Sequence, residues 1–135
     1  ARILLVDTIG ELGAWWGAAD IAFVGGSMGS RGGQNMIEPA AYGAAVSFGT
    51  NTKNFRDIVQ MLLAADAAMV VQDGRQMQAF ILRCLEDRDF AANLGRRAQE
   101  LVISGTGATS RTVDLLEPLL PAASENDRTE LRRAG

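Results

Sequence analysis

The residues best suited to chemistry lie in a glycine-rich segment, residues 25–33, where five of nine residues are glycine. Glycine permits positive φ and lets a ligand approach the backbone without a Cβ in the way. Ser27 and Ser30 add hydroxyl groups, and Arg31 adds a positive charge. The segment follows an apolar run and precedes a predicted helix that begins near Asn35. A strand, a glycine-rich loop and a helix in that order favour phosphate binding, because the free N–H groups at a helix start attract anions.

The order of these glycines matches neither common phosphate-binding fingerprint. The GxGxxG pattern of dinucleotide-binding proteins is absent, and so is the GxxxxGK[ST] pattern of the P-loop. A mobile surface loop is therefore an alternative explanation of the same composition. The phosphate interpretation rests on where the segment lies and on its backbone, and no motif supports it.

Asn35 and Glu38 have a spacing that fits two interpretations. An Asn before the first turn of a helix and a Glu three residues later resemble a capping box. In the second interpretation, the Glu38 carboxylate accepts hydrogen bonds from the vicinal hydroxyls of a ribose. The two compete, because a carboxylate folded back on its own helix has less capacity for a ligand.

Short apolar strands that alternate with helices must position these residues. Apolar runs predict strands over residues 3–6, 21–24, 45–48 and 67–71. Helices are predicted over 11–17, from 35 to about 42, over 55–63, after the capping residues Asp73 and Asp89, and over 113–120. This alternation predicts an α/β, Rossmann-like parallel sheet with helices on both faces. In such sheets ligands bind beyond the carboxyl ends of the strands.

The composition excludes several classes of function. A chain of 135 residues that is 47% hydrophobic and 21% charged fits one soluble domain. Without histidine it can hold no His-based triad or ligand, and Cys84, its single cysteine, permits neither an internal disulfide nor a multi-cysteine zinc site. We therefore expect Cys84 to be a core thiol, and we expect no metal and no cofactor. The net charge of −3 does not favour nucleic acid as a partner.

The termini and the apolar runs suggest where the chain acts. No apolar run approaches the roughly 20 residues that span a bilayer. The first residues lack a signal-peptide pattern and a starting Met. We expect the chain to be a soluble piece of a longer protein.

Several stretches in a fixed order resemble the 3-deoxy-D-manno-octulosonic acid (Kdo) transferase family. They comprise residues 7–12, 18–27, 31–43 and 49–55, and the similarity ends near residues 115–120. The order and spacing of these motifs make the resemblance specific, although any one of them alone is weak. It covers almost everything before the last fifteen residues or so.

The resemblance implies a GT-B glycosyltransferase, which has two Rossmann-like domains facing a cleft. Residues 1–120 would be most of the C-terminal, nucleotide-sugar-binding domain, and residues 121–135 a disordered tail. The family transfers Kdo from CMP-Kdo to a lipid A precursor at the cytoplasmic face of the bacterial inner membrane. The acceptor site, the catalytic carboxylate and the membrane anchor would belong to the missing N-terminal domain, so this chain alone would be inactive.

The resemblance also implies roles for particular residues. Gly26 and Ser27, with the turn that follows, would lie by the CMP phosphate. Glu38, in the family's Asn-x-x-Glu, would lie on the ribose, and Asn54 would lie near the donor. Thr8 and Glu11 would belong to a turn that faces the cleft. The complete set of substrate-binding candidates is Gly26, Ser27, Gly29, Arg31, Gly33, Asn35, Glu38, Asn54, Thr8 and Glu11.

Three positions depart from the family pattern. Gln34 stands where the family commonly has His, which removes any proton-linked role there. Val6 replaces a Gly, and Gly49-Thr50 replaces Gly-Pro, which loosens that turn. Two alternatives therefore stay open. One is a related transferase or epimerase that uses a UDP-linked sugar, and the other is a non-catalytic nucleotide-binding module.

Overall fold

The computed structural model describes residues 3–105 and 114–119. They contain three strands: β1 (Ile21–Val24), β2 (Ala45–Phe48) and β3 (Ala68–Val70). The strands form one parallel sheet in the order β1-β2-β3, with Ile21 opposite Ala45 and Val46 opposite Ala68. Helices surround this sheet, which confirms the α/β, Rossmann-like prediction.

Five helices accompany the strands in residues 3–105. They are α1 (Leu12–Trp16), α2 (Ile37–Ala41), α3 (Arg56–Ala64), α4 (Gly74–Glu86) and α5 (Arg88–Gly105). A 3-10 turn, Lys53–Phe55, leads into α3. A separate described piece has a helical turn over 114–116 and a 3-10 turn, Glu117–Leu119. The rest of the predicted last helix and the predicted tail over 121–135 lie outside the described residues. None of the described helices has both the length and the apolar character needed to cross a bilayer.

Of the two predicted capping residues, Asp73 caps its helix in the structure and Asp89 does not. The Asp73 carboxylate accepts a hydrogen bond from the Gln76 N–H at 2.8 Å, so it caps α4 as predicted. The prediction that Asp89 caps α5 is wrong, because Asp89 lies inside the first turn. Asp87, just before that turn, accepts from the Phe90 N–H at 2.9 Å instead.

The predicted strand over residues 3–6 is not formed. Ile3 is 87% exposed and Leu5 is 85% exposed. A strand requires a neighbour for its backbone hydrogen bonds, and the described residues offer none to this segment.

The core fills both faces of the sheet. All four residues of β2 are buried, as expected for the middle strand of a parallel sheet. Val46 and Phe48 pack on one face with Met36 and Leu62, whereas Ala45 faces the other side. Cys84 packs in that second cluster, which confirms the predicted core thiol. Burial raises the pKa of this thiol, so it stays protonated at neutral pH.

Helix α5 crosses the amino edge of the sheet and contacts the segment before each strand. These contacts are an ion pair of Arg88 with Asp20 at 3.8 Å, a hydrogen bond from Arg97 Nε to the Asp66 carbonyl at 2.7 Å, and close packing of Gly95 on the Gly43 carbonyl. Gly95 is buried, and a Cβ built on it would lie 2.8 Å from the Gly43 carbonyl carbon. The helix and the start of β2 are therefore in backbone contact.

Candidate functional site

Two loops leave the carboxyl edge of the sheet side by side. The glycine-rich loop, residues 25–33, follows β1, and a second loop, residues 49–54, follows β2. Val24 and Phe48, the last residues of these strands, are paired in register, so the two loops begin next to each other. In parallel α/β sheets this edge is where ligands bind. The glycine-rich loop is therefore where the phosphate hypothesis requires it.

The glycine-rich loop is closed at its base and exposed at its tip. The Gly33 N–H donates to the Gly26 carbonyl at 3.0 Å, and the Gln34 N–H donates to the Gly25 carbonyl at 3.1 Å. Gly26 and Gly33 have φ of +71° and +83°, a region that other residues adopt only with strain. Residues 28–31, which we call the tip, are exposed. The loop is thus an ordered turn with a tip open to a ligand.

Ser27 joins the ends of β1 and β2. Its side chain is fully buried, and its hydroxyl donates to the Val24 carbonyl at 2.6 Å. The same oxygen accepts a hydrogen bond from the Gly49 N–H at 2.8 Å. The hydroxyl that was expected to serve a phosphate is therefore used inside the protein, where it fixes the two loops relative to each other.

Replacing Ser27 with alanine should lower the free energy of unfolding by about 2 kcal/mol, because the buried Gly49 N–H loses its acceptor. Chemical denaturation monitored by circular dichroism measures this change. Ser30→Ala is the matched control, since Ser30 is exposed, and it should change stability by less than about 0.5 kcal/mol. Equal stability of the two variants would contradict the bridging role of the Ser27 hydroxyl.

Two asparagines of the second loop hold the backbone of the glycine-rich loop. Asn54 Nδ2 donates to the carbonyls of Arg31 at 2.9 Å and Gly33 at 3.3 Å. Asn51 Nδ2 donates to the Gly29 carbonyl at 2.6 Å. The sequence singled out Asn54 but not Asn51, because no local pattern shows that residue 51 reaches a carbonyl 22 residues earlier.

Asn35 and Glu38 form a half-buried pair at the start of α2. Asn35 Oδ1 accepts from the Ile37 N–H at 3.0 Å, and Asn35 Nδ2 donates to Glu38 Oε1 at 3.0 Å. This differs from a capping box, in which the Glu carboxylate returns to the backbone N–H of the cap. No hydrogen bond from a described residue reaches Glu38 Oε2, so the carboxylate keeps acceptor capacity.

The predicted contribution of the helix start to anion binding is small in this fold. Helix α2 begins at Ile37 and has only five residues. Its dipole is correspondingly weak, since the dipole sums over aligned peptides. Any favourable backbone field for an anion must therefore come from the N–H groups of the glycine-rich loop.

Two cations lie at the glycine-rich loop. Arg31 and Lys53 are exposed, and neither forms an ion pair with an acidic residue in the described part of the chain. Lys53 lies against the loop, because a Cβ built on Gly32 would be 2.7 Å from Lys53 Cγ. Lys53 was not among the predicted site residues.

Thr8 and Glu11 form a pair of their own before α1. Thr8 Oγ1 donates to Glu11 Oε2 at 2.8 Å, and both residues are exposed. No hydrogen bond between described residues links this pair to the glycine-rich loop. Among the described residues, Thr8 and Glu11 are thus hydrogen-bonded to each other and not to the other candidates.

A cleft of about 570 Å³ lies at the opposite, amino edge of the sheet. Asp20, Tyr42 and Arg88 are among the residues that line it. It shares no residue with the two loops at the carboxyl edge. Its position, away from the edge where parallel sheets bind ligands, makes it a weaker candidate despite its size.

Comparison with known proteins gives relatives in sequence, although no family model matches the chain. A 3-deoxy-D-manno-octulosonic acid transferase from Bordetella pertussis is 39% identical over 118 residues, covering 87% of this chain. The protein of the same name from Haemophilus influenzae is 34% identical over 120 residues, covering 88% of this chain. The chain spans 28% of the length of each of these relatives.

A solved structure agrees with these relatives. The crystal structure of the C-terminal CMP-Kdo binding domain of WaaA from Acinetobacter baumannii matches with a TM-score of 0.69 and 30% sequence identity. The match covers 73% of this chain and 51% of that one. The resemblance to Kdo transferases that was noted from the sequence is therefore confirmed, over most of the chain and in both sequence and fold.

Proposed function

We propose that this chain is a large part of the donor-binding domain of a Kdo transferase, an enzyme that moves Kdo from CMP-Kdo to a lipid A precursor in lipopolysaccharide biosynthesis. The observation that carries the proposal is the likeness to a CMP-Kdo binding domain at 30% identity, because it joins a fold to a named ligand. The glycine-rich loop at the carboxyl edge of the sheet supports it independently, since that is where such folds bind nucleotides.

In this proposal the two loops and the start of α2 hold the donor. The backbone N–H groups of the tip, with Arg31 and Lys53, face the CMP phosphate. The free oxygen of Glu38 accepts from the ribose hydroxyls, and Asn35 holds that carboxylate in place through its 3.0 Å hydrogen bond. Asn54 keeps Arg31 and its neighbours oriented.

The chemistry we infer is an inverting transfer without a covalent intermediate. A general base outside this chain takes the proton of the acceptor hydroxyl. Negative charge then develops on the departing CMP phosphate, and N–H groups already fixed around it stabilise that charge without reorganising. The contribution of this chain is therefore to bind the donor and to stabilise the leaving group.

In this proposal the longer protein would be a GT-B enzyme at the cytoplasmic face of the inner membrane. Its other domain would supply the acceptor site, the base and the membrane association. Residues 1–120 would be its partial donor-binding domain, with residues 121–135 as a tail.

The ribose role of Glu38 predicts a specific ligand preference. CMP should bind this chain about tenfold more tightly than 2′-deoxy-CMP, because the 2′-hydroxyl donates to a carboxylate. Glu38→Gln should weaken CMP more than 2′-deoxy-CMP, because both nucleotides lose the charged acceptor at the 3′-hydroxyl and only CMP also loses it at the 2′-hydroxyl, so the preference falls toward one. Isothermal titration calorimetry with both nucleotides measures the four dissociation constants.

The controls separate this proposal from its rivals. Glu86→Gln, at an exposed position of α4, should keep the full preference. If Glu38→Gln also keeps it, Glu38 has only its helix-start role. UMP binding as tightly as CMP would favour the enzyme that uses a UDP-linked sugar, and no binding of either nucleotide at millimolar concentration would contradict donor binding by this chain.

A further inference from the structure

Asn51 donates hydrogen bonds to two backbone carbonyls, those of Ser27 and Gly29, where the tip begins. Its backbone N–H donates to the Ser27 carbonyl at 2.8 Å. Its side-chain Nδ2 donates to the Gly29 carbonyl at 2.6 Å. Asn51 is half-buried between the loops, and its carbonyl oxygen lies 3.6 Å from where a Gly33 Cβ would be. One residue therefore sets the orientation of two peptide planes, those that join Ser27 to Met28 and Gly29 to Ser30.

The orientation of these planes decides where the next N–H groups point. In a trans peptide the carbonyl and the following N–H point in opposite directions, and no described peptide is cis. Because the Ser27 and Gly29 carbonyls face Asn51, the N–H groups of Met28 and Ser30 face away from it. Neither N–H donates a hydrogen bond to any described residue. Both residues are exposed, Met28 by 43%.

We propose that Asn51 is a positioning residue for the phosphate of the donor, because it turns the N–H groups of Met28 and Ser30 outward as a pair. Neighbouring backbone N–H groups held in this way form a concave site for an anion. In this inference Asn51 acts through the Gly29 peptide, to which one of its two side-chain N–H groups donates, and not by direct contact with the ligand. This inference rests on the proposed function and adds to it the residue that prepares the phosphate site.

Removing the side chain of Asn51 should affect the two N–H groups unequally. In Asn51→Ala the backbone N–H still holds the Ser27 carbonyl, so the Met28 N–H keeps its orientation. The Gly29 carbonyl loses its partner, so the Ser30 N–H becomes free to rotate. Asn51→Gln keeps an amide donor on a longer side chain and should restore part of the effect.

The experiment titrates the ¹⁵N-labelled chain with inorganic phosphate and follows its amide signals. In the wild type the Met28 and Ser30 signals should shift together. In Asn51→Ala the Ser30 shift should be lost while the Met28 shift remains. In parallel, the ratio of the dissociation constants of cytidine and CMP isolates the contribution of the phosphate. This ratio should fall about tenfold in Asn51→Ala and recover in part in Asn51→Gln, with cytidine binding unchanged.

Hydrogen exchange of two loop amides is the structural control. The Gly33 and Gly49 amides should stay protected from hydrogen exchange in every variant, because their bonds to the Gly26 carbonyl and Ser27 Oγ do not involve Asn51.

Phosphate shifts at Met28 and Ser30 that depend on Asn51, without a preference for CMP over UMP, would support the anion site and contradict CMP as the nucleotide. CMP binding that leaves these amides unshifted, or that is unaffected by Asn51→Ala, would overturn the inference alone. No response to phosphate or to CMP would overturn both.

Discussion

Replacing Gly95 with alanine is expected to lower the free energy of unfolding by at least about 3 kcal/mol, or to abolish the folding transition. In most helices this substitution is stabilising, because alanine is the better helix former by roughly 1 kcal/mol. Here the sign reverses, since the new Cβ would collide with the carbonyl of Gly43. Backbone atoms on both sides leave no flexible side chain to move aside, so α5 would have to shift from the sheet.

Gly105→Ala is the control on the same helix. A Cβ on Gly105 meets nothing within 4 Å, so this variant should change stability by less than about 1 kcal/mol. Urea denaturation followed by circular dichroism compares the two variants directly. A Gly95→Ala protein as stable as Gly105→Ala would show that α5 does not pack on the start of β2 as described.

Replacing Gly29 with leucine is expected to weaken CMP binding about 100-fold and to change the free energy of unfolding by less than about 0.5 kcal/mol. Gly29 has no positive φ, and a Cβ there meets nothing within 4 Å, so the side chain fits the folded chain. It would project from the tip into the space we assign to the phosphate. Losing two hydrogen bonds to a charged group accounts for the size of the effect.

Calorimetry with CMP and chemical denaturation measure the two effects separately. Gly105→Leu, at an exposed and open glycine outside the loops, should bind CMP as the wild type does. Gly26 is less informative, because its φ of +71° means that any side chain there strains the loop itself. Undiminished CMP binding by Gly29→Leu would remove the tip from the donor site, and in the longer enzyme undiminished transfer would do the same.

The sequence predicted best those features that depend on neighbours along the chain. The strands over 21–24 and 45–48 match the structure because each is a mostly apolar run that is followed directly by a glycine. The cap at Asp73 follows from its place before an amphipathic stretch. The position of the glycine-rich loop followed from the strand before it, since a parallel sheet places all carboxyl ends at one edge.

The sequence predicted least well those features that depend on distant partners. Residues 3–6 have the composition of a strand, yet composition cannot supply the neighbour that makes one. The Ser27 hydroxyl looked available to a ligand because its acceptor and donor, at Val24 and Gly49, meet only when β1 and β2 pair. Asn51 was missed for the same reason. The cap of α5 was assigned to Asp89 instead of Asp87 because both aspartates lie within one residue of the start of that helix.

The crossing of the amino edge by α5 has a consequence for how the polypeptide matures during translation. All three strands are synthesised before Gly95 and the residues that follow. Until then the underside of the sheet lacks Ala98, which is fully buried in the finished core, and Leu101, which packs against that core. The nascent chain therefore carries an uncovered apolar surface that α5 closes, and a premature stop before Gly95 would leave that surface as a target for chaperones and proteases.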